Sequence, residues 1–179
     1  MQLLGAHNSE SSTTALSSLL IDGVLALDAG SLASAISFEE QANVKAILLS
    51  HGHYDHIRGV PSFIFNNSAR ITRVFGLPHA LSLLTSRLMD GLVYPDFTDR
   101  NSFLRRVAAE LVPLEPLATV TVEGYAVTAH LMNHTIPAAG LEIADAAGES
   151  VFYSGDTGPG LGGVWERINP RLLIIDVTF

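Results

Sequence analysis

The chain has 179 residues, of which 47% are apolar and 16% are charged. This composition excludes a disordered, highly charged chain and provides enough apolar material for a sizeable core in about one domain. Asp plus Glu number 18 and Lys plus Arg number 10, and the resulting net charge of −8 disfavours a nonspecific electrostatic grip on nucleic acid. Because there are no cysteines, disulfides, thiolate metal sites and a cysteine nucleophile are excluded.

The sequence has no segment typical of a membrane span or a secretory leader. No run approaches the roughly 20 apolar residues that a spanning helix needs. The first ten residues, MQLLGAHNSE, lack a basic stretch followed by a long apolar stretch. We therefore expect a cytoplasmic protein without a membrane partner.

Short apolar runs alternate with turn signals along the first half of the chain. Residues 17–21 and 23–27 are predicted as strands that are joined by a tight turn at Asp22-Gly23. A short helix is predicted over 37–42 with Ser37 as its N-cap, and an apolar strand over 44–50 leads directly into a group of histidines.

The second half also mixes strands with helices. Helical spacing of apolar residues predicts helices over 78–88 and over 99–112, the second beginning at Asp99 or Asn101 and ending before Pro113. Between them lies the loop Tyr94-Pro95-Asp96-Phe97. Further strands are predicted over 70–76, 118–123, 125–129, 140–143, 150–154 and 172–177. This mixture indicates a layered α/β or α+β domain.

The strongest chemical signal is His51-Gly52-His53-Tyr54-Asp55-His56, directly after an apolar strand. Imidazole suits zinc, iron, copper and nickel, and a carboxylate adds a hard oxygen ligand. On an extended backbone, His51 and His53 would point the same way, which leaves Asp55 and His56 to face a second metal position. The alternative is a histidine-rich surface turn, which we disfavour because a strand precedes the motif.

Two downstream residues strengthen the metal interpretation. His134 lies in a loop after a predicted strand, and Asp156 lies directly after another in Tyr153-Ser154-Gly155-Asp156-Thr157-Gly158. Alone, such a histidine is more often a packed or surface residue, and such an aspartate is more often a turn residue. Beside the histidine-rich motif, both become candidate ligands.

The His-x-His-x-Asp-His motif, the later loop histidine and the strand-end Gly-Asp-Thr-Gly together resemble the metallo-β-lactamase superfamily. The resemblance runs from the predicted hairpin at 17–27 to the last predicted strand. It implies an αββα sandwich with a dinuclear metal site at the edges of the sheets. We therefore expect residues 1–179 to form one metallo-β-lactamase-like domain of the α/β class.

The resemblance also implies roles for individual residues. One metal ion would be held by His51, His53 and His134. A second would be held by Asp55 and His56, with Asp156 bridging the two ions and Asp55 orienting the nucleophile. Asp28, which ends a predicted strand, would support a ligand histidine, although a plain strand-terminating aspartate is the alternative reading. The cofactors implied are two divalent ions, zinc first and iron or manganese otherwise.

The sequence departs from the family pattern at its C-terminal side. The family has a further metal-binding histidine after a final strand, whereas no histidine follows His134 and the sequence stops at Asp176-Val177-Thr178-Phe179. We therefore expect a C-terminally incomplete domain with a weakened second metal site. An unfinished sheet edge would favour a homodimer.

The substrate expectation rests on shorter similarities. The segments Gly155-Asp156-Thr157-Gly158-Pro159 and Tyr94-Pro95-Asp96-Phe97 resemble class II cyclic-nucleotide phosphodiesterases. This implies hydrolysis of a cyclic nucleotide or a similar small phosphodiester by a hydroxide that bridges the two metals, with Asp55 and Asp156 as catalytic residues.

The sequence evidence for residues that contact the substrate is weaker than that for the metal ligands. Tyr94 and Phe97 would stack on a nucleobase and Arg58 would meet a phosphate, although an exposed helix-surface arginine is the favoured reading of Arg58. Phe63 and Phe65 are further candidates for this stacking, with a core position as the favoured reading.

Three other functions stay open at this stage. The same metals would serve a lactone or thioester hydrolase. A tRNA 3′-processing type of nuclease shares the motif but needs a basic surface that this composition disfavours. A non-catalytic metal-binding domain is the alternative from a different class, because the last family ligand is absent.

Overall fold

A computed structural model describes residues 1–176 of the 179. Its first sheet has six strands in the order β1-β2-β3-β4-β5-β6. These strands are β1 Gln2–Gly5, β2 Ser18–Ile21, β3 Leu25–Leu27, β4 Ala46–Leu48, β5 Thr72–Gly76 and β6 Ala109–Pro113. The first three strands are antiparallel neighbours, and β3 to β6 run parallel.

The second sheet has five strands in the order β11-β10-β9-β8-β7. They are β7 Thr119–Val122, β8 Tyr125–Met132, β9 Ala138–Ala144, β10 Ser150–Tyr153 and β11 Leu172–Ile174. Neighbours are antiparallel except β10 and β11, which are parallel. The end of the last predicted strand, at residue 177, lies outside the described residues.

Helices connect the parallel strands of the first sheet, as parallel pairing requires. They are α1 Leu32–Ala35, α2 Phe38–Asn43, α3 Tyr54–Ile57, α4 Val60–Asn66 and α5 Pro78–Leu83, which continues as a π-helical segment over Leu84–Leu88. A sixth helix, α6 Gly162–Trp165, follows β10. None of the helices in residues 1–176 is long and apolar enough to cross a membrane.

Three apolar layers hold these elements together. One lies between the first sheet and its helices, where Ile47 and Val74 pack with Phe63. The second lies between the two sheets, where Leu48 packs with Leu141. A third, smaller one covers the outer face of the second sheet and includes Val164 of α6. The order helix, sheet, sheet, helix confirms the expected αββα sandwich.

One predicted element is wrong. Residues 99–112 do not form a helix: residues 99–106 are irregular turns, and β6 pairs with β5 in parallel register from Thr72↔Ala109 to Gly76↔Pro113. The backbone amides of Ala108 and Ala109 both donate to the carbonyl of Phe97, which starts the strand. In a segment this short, the spacing of apolar residues alone does not distinguish a strand from a helix.

Candidate metal centre

The candidate ligands converge because four strands end at the same edge of the sandwich. Asp28 directly follows β3, and the motif of His51 to His56 begins three residues after β4. In the second sheet, His134 follows β8 and Asp156 follows β10. Since β3 and β4 are parallel, and β8 and β10 are both antiparallel to β9, their C-terminal ends lie on common edges. The strand order therefore brings together residues that are up to 128 positions apart, 28 to 156.

Close backbone packing fixes the histidine motif against β3. The amide of Ala29 donates to the carbonyl of His56 over 2.7 Å, and the amide of Gly59 donates to the carbonyl of Ala29 over 2.8 Å. A Cβ at Gly30 would lie 1.9 Å from the carbonyl oxygen of Asp55. Only glycine permits this approach, which holds α3 with Asp55 and His56 at the sheet edge.

Three histidine nitrogens form the first donor cluster. His53 Nδ1 lies 3.0 Å from His51 Nε2 and 2.9 Å from His134 Nε2. A tetrahedral zinc ion with metal–nitrogen bonds of ~2.0–2.1 Å would separate its ligand nitrogens by roughly 3.3 Å. Asp156 Oδ2 lies 3.9 Å from both His51 Nε2 and His134 Nε2. The three histidines and this carboxylate thus have the donor types and spacing of a cation site.

The second donor cluster consists of Asp55, His56 and Asp156. His56 Nε2 lies 3.1 Å from Asp156 Oδ1 and 3.5 Å from Asp55 Oδ2. Although these oxygens are near, the buried Nε2 makes no hydrogen bond of acceptable angle within residues 1–176. A buried polar atom without such a partner is costly, and a cation between these donors would satisfy it. The donor set therefore fits a second metal ion.

Asp28 is fully buried and orients the second cluster from behind. Its Oδ2 lies 2.7 Å from His56 Nδ1 and accepts hydrogen bonds from Ser50 Oγ at 2.7 Å and the Tyr153 hydroxyl at 2.8 Å. Its Oδ1 accepts from the amide of Ser50 at 2.8 Å. Holding Nδ1 of His56 directs Nε2 of the same ring toward Asp55 and Asp156.

Neighbouring histidines have opposite pKa shifts. Burial, together with the charge of His56, lowers the pKa of His51 to about 3, so its ring is neutral and can donate a lone pair. Burial also opposes charge on His56, but Asp28 and Asp156 outweigh burial and raise the pKa of His56 to about 10. In turn, burial opposes charge on Asp28, whereas His56 holds the pKa of Asp28 below its usual value. The carboxylates around His56 thus favour a positive charge at its Nε2, which is a proton in the metal-free protein and which a bound cation would replace.

An open cleft of about 590 Å³ lies over the two clusters. Its lining residues are Asn8, His53, Asp55, Asn133, His134, Thr135, Asp156, Thr157, Gly158 and Asp176. Sequence reasoning missed Ser50, Tyr153 and Asp176. A tyrosine on the inward face of an apolar strand was a usable signal for Tyr153, because its buried hydroxyl needs a partner.

The predicted substrate contacts do not line this cleft. The prediction that Phe97 stacks on a nucleobase is wrong, because its side chain is completely buried in the core between the first sheet and its helices. Tyr94 lines a separate cavity of about 570 Å³, and its hydroxyl lies 2.7 Å from Ser62 Oγ. Arg58 pairs with Glu10 at the surface, in agreement with the favoured surface reading rather than with a phosphate contact.

Of the two phenylalanines read as core residues, Phe63 is buried as expected. The core prediction for Phe65 is wrong, because its side chain lies exposed on α4.

The fold and the paired donor clusters define a metallo-β-lactamase type of domain. The family model described as "Beta-lactamase superfamily domain" matches residues 18–179, and the chain belongs to this family. It is 31% identical over 116 residues to ribonuclease J of Methanocaldococcus jannaschii, an alignment that covers 65% of this chain and 23% of the ribonuclease. The chain thus spans less than a quarter of that relative's length.

Solved structures show the same fold. The metallo-β-lactamase fold protein YhfI from Bacillus subtilis has a TM-score of 0.70 at 17% identity, covering 96% of this chain and 68% of its own. The short form of human tRNase Z has a TM-score of 0.67 at 19% identity, covering 96% of this chain and 75% of its own. At these identities the likeness concerns the fold alone.

Proposed function

We propose that this chain is a metal-dependent hydrolase that acts on a phosphodiester, such as a cyclic nucleotide or a similar small molecule. The observation that carries the proposal is the position of Asp156. One of its oxygens lies 3.9 Å from two histidines of the first cluster, and the other lies 3.1 Å from His56 of the second. A carboxylate shared in this way suits a pair of adjacent cations.

The residues divide between two ions as follows. The first would be held by His51, His53 and His134, the second by Asp55 and His56, and both by Asp156. Two adjacent divalent ions supply Lewis-acid stabilisation of developing charge and lower the pKa of a shared water. Histidine and carboxylate donors without thiolate favour zinc, with iron and manganese as the alternatives.

The chain's own groups then serve to bind and orient. Asp55 lines the cleft, and its carboxylate would accept a hydrogen bond from the attacking water and align it. Asn8 and Thr135 line the cleft and offer amide and hydroxyl donors to phosphate oxygens.

A nuclease is the second candidate. The observation that favours it is the 31% identity to ribonuclease J. The net charge of −8 favours a small substrate over a polyanion.

Metal analysis tests the proposal first. Purified protein dialysed against zinc is expected to hold close to two equivalents by inductively coupled plasma mass spectrometry. Asp156→Asn keeps the shape of the side chain but removes its charge, so we expect one equivalent or less. Asp99→Asn is the matched control, because Asp99 is exposed and is not among the residues that line the cleft. This variant should bind zinc like wild type. Equal binding by wild type and Asp156→Asn would contradict the shared site.

Substrate assays then separate the candidate activities. We expect the chain to hydrolyse bis-p-nitrophenyl phosphate and a cyclic nucleotide. Asp156→Asn should be slower by more than roughly 100-fold, because substitution of a residue that only hydrogen-bonds to a metal ligand costs up to about that factor. Single-stranded RNA tests the nuclease, and lactone and thioester substrates test the carbon-centred hydrolases. Two bound ions without hydrolysis of any of these would indicate a non-catalytic metal-binding domain.

A further inference from the structure

Tyr153 joins the second sheet to the metal centre through a buried hydrogen bond. It is the last residue of β10, and its side chain packs in the layer between the sheets. Its hydroxyl donates to Asp28 Oδ2 over 2.8 Å. Asp28 follows β3 of the other sheet, so this bond spans the sandwich directly behind His56.

The carboxylate of Asp28 has little freedom left. Oδ2 interacts with three groups: the hydroxyls of Ser50 and Tyr153 and Nδ1 of His56. Oδ1 accepts from the backbone of Ser50. Because a carboxylate has about four acceptor positions, these contacts fix its plane and with it the direction of the His56 ring.

We infer that Tyr153 is a positioning residue for the cluster of Asp55, His56 and Asp156. It acts through Asp28, which holds Nδ1 of His56 and so aims Nε2 at the two carboxylates. This inference rests on the metal site of the proposed function.

The effect should be specific to one cluster. Ser50 also lies 3.0 Å from Nδ1 of His51, so its hydroxyl serves both clusters. The hydroxyl of Tyr153 donates to Asp28, which contacts His56 directly but reaches His51 only through Ser50. Loss of the Tyr153 hydroxyl should therefore weaken the second ion and spare the first.

A matched control lies at the opposite end of the sandwich. Tyr125 also donates its hydroxyl to an aspartate of the other sheet, Asp22, in the turn between β2 and β3. Tyr153→Phe and Tyr125→Phe thus each remove one cross-sheet phenol–carboxylate bond and keep the ring. If Tyr153 served stability alone, both variants would unfold more easily and both would keep two ions.

The experiment measures zinc binding by equilibrium dialysis and chelator competition on the full chain. We expect wild type and Tyr125→Phe to bind two ions. Tyr153→Phe should keep one at wild-type affinity and bind the second roughly 10–100-fold more weakly. In a His134→Ala background, Tyr153→Phe should weaken the ion that remains; in an Asp55→Ala background it should have little further effect.

The outcomes separate the two claims. Two ions at wild-type affinity in Tyr153→Phe would overturn the positioning role and leave the proposed function standing. No zinc bound by wild type would overturn the proposed function itself. If Tyr153→Phe gives no folded protein, 4-aminophenylalanine at this position retains a donor and should keep the second ion. Loss of that ion from the folded variant would refute the inference.

Discussion

Gly155 shows how closely the backbone must approach at the metal centre. Its φ is +57°, and a Cβ there would lie 2.6 Å from Ser50 Cβ and 2.8 Å from Ser50 Oγ. Ser50 in turn donates to Asp28. The residue before Asp156 therefore has to be a glycine for two reasons, its backbone conformation and the lack of space.

We predict that Gly155→Ala reduces both stability and zinc capacity. Left-handed strain alone costs roughly 1–2 kcal/mol, and displacement of Ser50 adds to this. Gly148→Ala is the matched control, because its φ is +83° with nothing within 4 Å of the added Cβ. Urea unfolding and metal analysis of both variants measure the difference. Equal losses of stability, with two ions retained in each, would show that crowding at Ser50 has no effect.

Substitution of Phe97 tests whether this residue serves the core rather than the substrate. We predict that Phe97→Ala lowers the free energy of unfolding by about 3–5 kcal/mol, because a completely buried phenylalanine is removed. Phe103→Ala, at a side chain 81% exposed, should change it by less than about 0.5 kcal/mol. Urea unfolding measures both. The rate per folded molecule should be unchanged in Phe97→Ala; a raised KM with little loss of stability would restore its substrate role.

At the scale of elements, local signals predicted most of the strands and one helix start. The Ser37 hydroxyl oxygen accepts a hydrogen bond from the amide of Glu40, and the carboxylate of Glu40 accepts one from the amide of Ser37, so the predicted N-cap is confirmed as a capping box. The turn at Asp22-Gly23 is confirmed by positive φ at both residues. These features succeed because each is decided by neighbours in sequence.

The failures depend on contacts distant in sequence. The segment 99–112 has helical spacing, yet β6 pairs with the edge of β5. The carbonyl of Phe97 accepts from the amides of Ala108, just before β6, and Ala109, its first residue. Sheet pairing of this kind leaves no local signature in a short apolar run. The motif and the family resemblance predicted the side chains of the two clusters and the support of a histidine by Asp28. The contacts of Ser50 and Tyr153 with Asp28 were not predicted, because they join residues that are distant in sequence.

The hydrogen bond between Tyr125 and Asp22 ties β8 to the turn between β2 and β3, and it predicts a pH effect. The bond to Asp22, with burial and its charge, raises the pKa of Tyr125 to about 12 from the usual 10. Because folding favours the protonated phenol, the contribution to stability is complete below pH 10 and is lost as pH rises toward 12. Absorbance at 295 nm should show an ionisation near pH 12 that is absent in Tyr125→Phe.

The Asp22→Asn variant tests the hydrogen bond between Tyr125 and Asp22 more directly. Asparagine tolerates the positive φ of 50° at this position but removes the negative charge. The Tyr125 ionisation should then move back toward pH 10, with circular dichroism recorded on the same samples to show that the fold persists. An unchanged ionisation would mean that Asp22 does not determine this pKa.

At the scale of the whole molecule, the candidate ligands come from both halves of the sandwich. His51, His53, Asp55 and His56 follow β4 of the first sheet, whereas His134 and Asp156 follow strands of the second. A bound cation would therefore cross-link the two sheets at one end. Because the unfolded chain scatters these donors, the ion binds the folded state preferentially and stabilises it.

Metal removal is accordingly predicted to destabilise the whole domain. At free zinc about 100 times its Kd, one site contributes roughly 2.7 kcal/mol to the free energy of unfolding, and chelation should remove at least this amount. Urea unfolding with zinc and with a chelator measures the change. Asp99→Asn should respond like wild type. Asp156→Asn should respond much less, because Asp156 has one oxygen beside each cluster. Identical unfolding of wild type with zinc and with chelator would show that no cation joins the two sheets.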